Sequence, residues 1–241
     1  MQTSFNIVQY CAVSNKLETD EQWQLWADNK LNINNLPDVK PNVSFLPALL
    51  RRRLDLTSRL MFQAAFSLAD KWGDYPVVFV SHDGEINRSF EMYVSLLKDL
   101  LVSPNAFSLS VHNAAVGQWS MVRQFLGETV ALAARRDGFE CGVIESVSML
   151  NDGCERVLLI VADNPLDVEF NVSPYIRSPF AYAVAMILEK GDDYSLSFQS
   201  ENHSDDGTYW GALNWIKAMK QGKKSFQHKY LNGSWRWQIK A

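Results

Sequence analysis

The chain has 241 residues, 47% of them hydrophobic and 21% charged, with a formal net charge of −4. That length can bury a full core within a single domain spanning 1–241, and the composition excludes a disordered or fibrous chain. The acidic balance argues against nucleic-acid binding, which calls for a concentrated positive footprint.

The chain opens on MQTSFNIVQYCAVS. It lacks the basic start and small-residue cleavage end of a secretory signal, so residues 5–13 read as a first strand and a cytoplasmic location is expected. No apolar run approaches the roughly 20 residues that span a bilayer, so no membrane span is expected. A polar loop and a short helix near residues 21–28 follow, then an irregular stretch over 29–46 punctuated by Asn and Pro. Over 55–70, Leu56, Leu60, Ala64 and Leu68 recur every four residues and predict a helix with one buried face. YPVVFVS at 75–81 is a continuous β-rich run, as expected of a strand buried on both sides. After His82, Asp83 and Gly84 comes a helix over 86–101.

A second helix is expected over 111–125 and a strand over 129–134. The turn Arg135, Arg136, Asp137 then leads into a helix over 138–150, with Phe139, Val143, Val147 and Leu150 on one side. RVLLIVA at 156–162 reads as another central strand. Residues 180–189 and 194–200 read as two antiparallel strands joined by a turn at Lys190, Gly191, Asp192 and Asp193. A last helix covers 209–220, and 226–239 carries the Asn232-Gly233 hairpin signal. Apolar strands alternating with amphipathic helices give an α/β fold: a mostly parallel sheet with helices on both faces, ending in antiparallel strands.

Cys11, Cys141 and Cys154 are odd in number and show no metal-type spacing, so they read as reduced small hydrophobes, and neither metal nor cofactor is expected. His82, His112, His203 and His228 fall in unrelated elements without ligand spacing.

Several of these stretches resemble the N-terminal half of β-ketoacyl synthases, the condensing enzymes of fatty acid and polyketide assembly. SLSVHN at 108–113 followed by AAVG at 114–117 resembles the synthase run ending in Asn-X-X-X-Gly. Residues 77–84 occupy the place of the strand that leads to the family's Gly-rich turn, and Gly153 with 156–162 matches the strand after the active-site helix. The resemblance covers most of residues 1–190. Beyond that, the chain is similar to the short chain-length-factor-like subunits found with aryl polyene and related type II polyketide ketosynthases. It implies a thiolase-like fold.

Counting back from Gly153 puts Arg136, or Arg135 after a one-residue shift, where the family has its nucleophilic cysteine. A helix N-terminus stabilises a thiolate, whereas arginine cannot attack a thioester. The family's paired histidines belong to a half that does not follow here. The resemblance therefore implies a non-catalytic subunit, in heterodimer with a full-length catalytic β-ketoacyl synthase. Its interface would use Ala106, Phe107, Val111, Thr129, Val130, Ala131, Leu132, Ala133 and Ala134. Acyl-tunnel positions would be Asn87, Phe90, Val94 and Val111, the first three sharing one helix face; Phe90 and Val94 are equally readable as ordinary core. Arg51, Arg52 and Arg53, the one dense basic cluster, could steer an acidic acyl carrier protein. Trp210, Trp215, Trp235 and Trp237 would cap the sheet where the missing half would pack. Two other readings stay open: an acyltransferase or hydrolase using Cys141 or Cys154, and a stand-alone module binding acyl chains or carrier protein.

Overall fold

The computed structural model describes residues 1–134, 137–170, 178–202, 210–230 and 232–240. In chain order the elements are β1 (Gln2–Ser14), α1 (Asp20–Ala27), α2 (Ala48–Arg51), α3 (Leu56–Trp72), β2 (Val77–Ser81), α4 (Ile86–Asp99), α5 (Pro104–Ser108) and α6 (Ala114–Arg123). They continue with β3 (Thr129–Ala133), α7 (Gly138–Asn151), β4 (Arg156–Asp163), β5 (Tyr182–Gln199), α8 (Gly211–Lys220), β6 (Ser225–Tyr230) and β7 (Gly233–Ile239). Local chemistry sets several boundaries. Thr19 and Gln22 form a capping box that starts α1, and Asp55 caps α3 by accepting from the Ser58 amide at 2.8 Å. Helix α3 stops at Gly73, whose φ of 102° suits glycine.

The sheet runs β3-β2-β4-β5-β7-β6, with β1 also on β5. Strand β2 pairs in parallel with β3 and β4, while β5 pairs antiparallel with β1, β4 and β7, and β6 with β7. The sheet is thus mixed: the expected parallel pairing holds for β3, β2 and β4, and the remaining pairs are antiparallel.

Period-two alternation divides the core. Val78 and Val80, with Leu159 and Val161, pack beneath α7 and α8, against Phe139, Val143, Trp215 and Ile216. Val77 and Phe79, with Leu158 and Ile160, point the other way onto α3 and α6, against Leu60, Phe62 and Trp119. Helix α7 lies close on the sheet because Gly142 has no side chain. A Cβ there would sit 2.6 Å from Val80 Cγ2 and 2.8 Å from a Leu159 methyl.

Two expectations need correction. The helix expected over 111–125 begins only at Ala114, because residues 109–113 form turns, with the Leu109 and Ser110 amides bonded to α5 carbonyls. The two strands expected at 180–189 and 194–200 are one strand, β5, with no reversal at residues 190–193. Along β1 the register jumps from Phe5↔Tyr194 to Asn6↔Glu189, so residues 190–193 bulge with no paired residue on β1. Asn6 fills the gap: its Oδ1 accepts from the Asp193 amide at 3.0 Å. Gly191 is needed there, since a Cβ would fall 2.0 Å from that same oxygen. The polar Lys-Gly-Asp-Asp run marks a bulge held by a distant strand instead of a turn.

Candidate functional site

The carboxyl ends of β2 and β4 meet the N-terminus of α7 in a small cleft, where ligands of open α/β sheets usually bind. Val80, Ala134, Gly138, Phe139, Val161 and Trp210 supply its walls, and His82, Asp163 and Tyr182 its polar groups. Asp163 is buried, and its Oδ1 accepts from Ser81 Oγ at 2.8 Å, the His82 amide at 2.7 Å and the Asp83 amide at 3.3 Å. Tyr182 donates to the other oxygen at 3.4 Å, and the Gly84 amide donates to Ser81 Oγ at 2.8 Å. Burial raises the Asp163 pKa despite the Ser81 and backbone donors, and burial beside Asp163 raises that of Tyr182. This carboxylate shapes the turn after β2, a role that no local sequence signal announces.

The position compared with a nucleophile, Arg135 or Arg136, lies outside the described residues, as does His203. Among the described residues the cleft offers no thiol. Cys141 sits one turn into α7, where burial first, then Asp137 and Glu140, push its pKa up to about 12. Such a thiol holds almost no thiolate near neutral pH. Burial likewise raises Cys11, and Cys154 packs against the core. Among the described residues, no group of three or more His, Cys, Asp or Glu could hold a metal ion. Nor, among them, is any helix long and apolar enough to cross a membrane.

The remaining histidines are structural. His112 precedes α6 and packs near Phe79 and Gly84. His228, on β6, meets Glu140 of α7 at 2.7 Å, and Trp237 Nε1 donates to the same oxygen at 3.1 Å; all three side chains are buried. The C-terminal tryptophans belong to this core. Trp237 stacks on Phe139 and Phe226, Trp215 packs beside them, and Trp235 is buried on β7. Trp210 is half-buried and lines the cleft.

A second feature is the surface formed by α4 and its neighbours. No residue of α4 is buried. Tyr93, Leu96, Leu97 and Leu100 recur at i, i+3, i+4 and i+7, the pattern of a core-facing stripe, yet they face solvent, Leu97 and Leu100 each 82% exposed. Leu101, Phe107 and Val111 extend the exposed apolar set over the α4–α5 region. An exposed patch of this kind marks an interaction surface more often than a solvent face. The stripe was missed in sequence, although its spacing is visible there.

The other face of α4 is tied down. Asn87 Nδ2 donates to the Pro165 carbonyl at 3.0 Å and its Oδ1 accepts from the Asp167 amide at 3.0 Å, while Phe90 stacks on Phe170 with ring centroids 4.9 Å apart. Val94 is half-buried and Val111 lies in the turn before α6. Ala106 and Phe107 are on α5, which packs on α4; β3 packs on β2, α6 and α7. The two stretches expected to form one interface thus lie on different elements, α5 and the turn after it on one side and β3 on the other. Thr129, Val130, Ala131, Leu132 and Ala133 form β3, the strand at one end of the sheet order, with Ala134 just beyond it. Its outer backbone edge is paired with no described strand.

At the foot of α4, Glu85 is buried. Its Oε1 accepts from Ser58 Oγ at 3.3 Å and its Oε2 from Arg88 Nε at 3.1 Å. Burial chiefly, then the charge of Asp55, lift its pKa to about 8, and Arg88 only partly offsets this. A carboxyl raised in the folded state keeps its proton there while the unfolded chain has lost it. Stability therefore falls as pH climbs from about 4.5 to about 8. The Glu85→Gln variant, whose amide can donate to Asp55 as the protonated acid does, should show a flatter profile and a higher melting temperature at pH 8–9. Calorimetry across that range checks it, and an unchanged slope would assign the pH dependence elsewhere.

With this geometry in view, a family model described as "Beta-ketoacyl synthase, N-terminal domain" matches residues 23–238. The chain belongs to that family. No curated protein matches the sequence. Among solved structures, a chain of the ketosynthase ApeO in complex with its chain length factor ApeC, from Xenorhabdus doucetiae, is similar with a TM-score of 0.87. It is 24% identical, and the match covers 98% of this chain and 99% of that one. A chain of the AntDE:AntF complex, a type II PKS acyl-carrier protein with its ketosynthase, matches with a TM-score of 0.72 at 11% identity, over 98% and 99% of the two chains. The ishigamide ketosynthase/chain length factor matches at 0.62 with 13% identity, over 92% of this chain and 74% of that one. The fold is the thiolase-like fold of the ketosynthases.

Proposed function

We propose that this chain is a non-catalytic, chain-length-factor-like subunit that pairs with a full-length catalytic β-ketoacyl synthase and shapes its acyl tunnel, in aryl polyene, polyketide or fatty acid biosynthesis. The observation that carries the reading is an edge of β3 that no described strand pairs, together with the solvent-facing leucine stripe of α4. Its match along nearly the full length of a chain from a ketosynthase–chain length factor complex supports it. So does the chemistry: in this reading Arg135 or Arg136 takes the family's cysteine position, and Cys141 is a thiol with a raised pKa. That same thiol weighs against a cysteine acyltransferase or hydrolase. The heterodimer works in the cytoplasm in this reading, and its interface uses the 129–134 strand together with Ala106, Phe107 and Val111. Co-expression with a full-length synthase should give a complex that survives size-exclusion chromatography. Elution of the two chains apart would favour a stand-alone module.

In that complex Asn87, Phe90, Val94 and Val111 lie toward the growing chain, with the Phe90 ring on Phe170 as a floor. Phe90→Ala should lengthen the products without stopping condensation. Mass spectrometry of the released chains reads the outcome, and unchanged lengths from a folded complex remove Phe90 from the tunnel. Arg51, Arg52 and Arg53 steer an acidic carrier protein by long-range charge.

A further inference from the structure

Beside α2, the loop over residues 40–44 and the start of α3 border an open cleft. Four cationic side chains, Lys40, Arg51, Arg52 and Arg59, line it, together with the short polar groups of Asn42 and Ser44, and no carboxylate does. Like charges gathered around one cavity repel each other unless an anion enters it. One of them, Arg59, is also held in position. Arg59 donates from Nε to the Leu54 carbonyl at 3.0 Å and from Nη2 to the Arg51 carbonyl at 2.7 Å, which fixes its guanidinium against the cleft wall. Arg51 Nε is buried without a hydrogen-bond partner. A buried charged donor left unsatisfied is destabilising, so the unused N–H is itself a sign of an acceptor to come.

We infer that this cleft binds a phosphate group, as free phosphate or as the monoester of a small metabolite. Tetrahedral oxyanions accept several charge-assisted hydrogen bonds at once, and the planar fork of arginine matches them. Arg53 does not take part: it is absent from the lining, and its carbonyl accepts from Arg88 at 3.1 Å. The inference is independent of the pairing with a synthase, because every group it uses belongs to this chain.

Calorimetric titration of the full chain with inorganic phosphate, sn-glycerol 3-phosphate and chloride, at constant ionic strength, tests it. Saturable binding of one equivalent of phosphate is expected, with chloride silent. Tighter binding of the glycerol ester points to a metabolite, and equal or weaker binding to the free ion. Arg51→Gln should weaken binding about tenfold or more, the loss of one charge-assisted bond. Arg53→Gln, the same change of charge outside the cleft, should leave it unchanged. Should Arg51→Gln fail to fold, Arg52→Gln and Lys40→Gln take its place with the same expected loss. Absence of saturable binding, or equal weakening by the Arg53 and Arg51 variants, overturns the inference.

Discussion

Leu97→Glu should break the complex with a full-length synthase while leaving this chain folded. The side chain stands 82% exposed on α4, within the stripe of Tyr93, Leu96 and Leu100, so its replacement removes no packing from the free protein. Glutamate is also a good helix former, and α4 should persist. In the complex, however, the carboxylate would be buried against an apolar surface, and the desolvation of an unpaired ion costs several kcal/mol. A loss of about 100-fold or more in affinity follows from about 2.8 kcal/mol. Affinity capture with the tagged partner, alongside circular dichroism of the variant alone, measures both halves. Undiminished capture would mean that the α4 stripe faces something other than the synthase.

The second large effect concerns folding. Glu140 is fully buried on the first turn of α7, and one of its oxygens meets both His228 Nδ1 and Trp237 Nε1. Glu140→Ala takes that acceptor away and leaves a void between α7 and the β6–β7 hairpin. Leaving a buried donor without its acceptor typically costs about 1–3 kcal/mol. The urea midpoint should drop accordingly, with a smaller loss for Glu140→Gln, which keeps an acceptor oxygen at the same distance. Equal midpoints for Glu140→Ala and the parent chain would show that the contact contributes no net stability.

What could be read along the chain was what neighbours in sequence decide. Val77 to Val80 announced a strand buried on both faces, and Phe139, Val143, Val147 and Leu150 announced the inward face of α7; both sit in the core. The boundaries at Asp55 and Gly73 follow from capping chemistry within a few residues. Contacts made across the fold were not legible. Asp163 meets Ser81 across 82 residues and Glu140 meets His228 across 88, so no local pattern marks either carboxylate as buried. Lys190 to Asp193 misled for the same reason: the run has the composition of a turn, but Asn6, far upstream, supplies the hydrogen bond that keeps it extended. The leucine stripe of α4 was legible as amphipathic, yet periodicity cannot tell a face turned to its own core from one turned to another molecule.

The unbroken course of β5 has a consequence for how the protein is made. Its main partner along almost the whole length is β1, which leaves the ribosome some 170 residues ahead of it, as Ser14↔Tyr182 and Gln2↔Ser197 require. An edge rich in Ile, Val and Tyr must therefore wait, unpaired, through most of translation, and long-range pairing of this sort closes slowly. Nascent chains stalled before residue 182 should be far more prone to aggregation and to chaperone capture than the finished polypeptide.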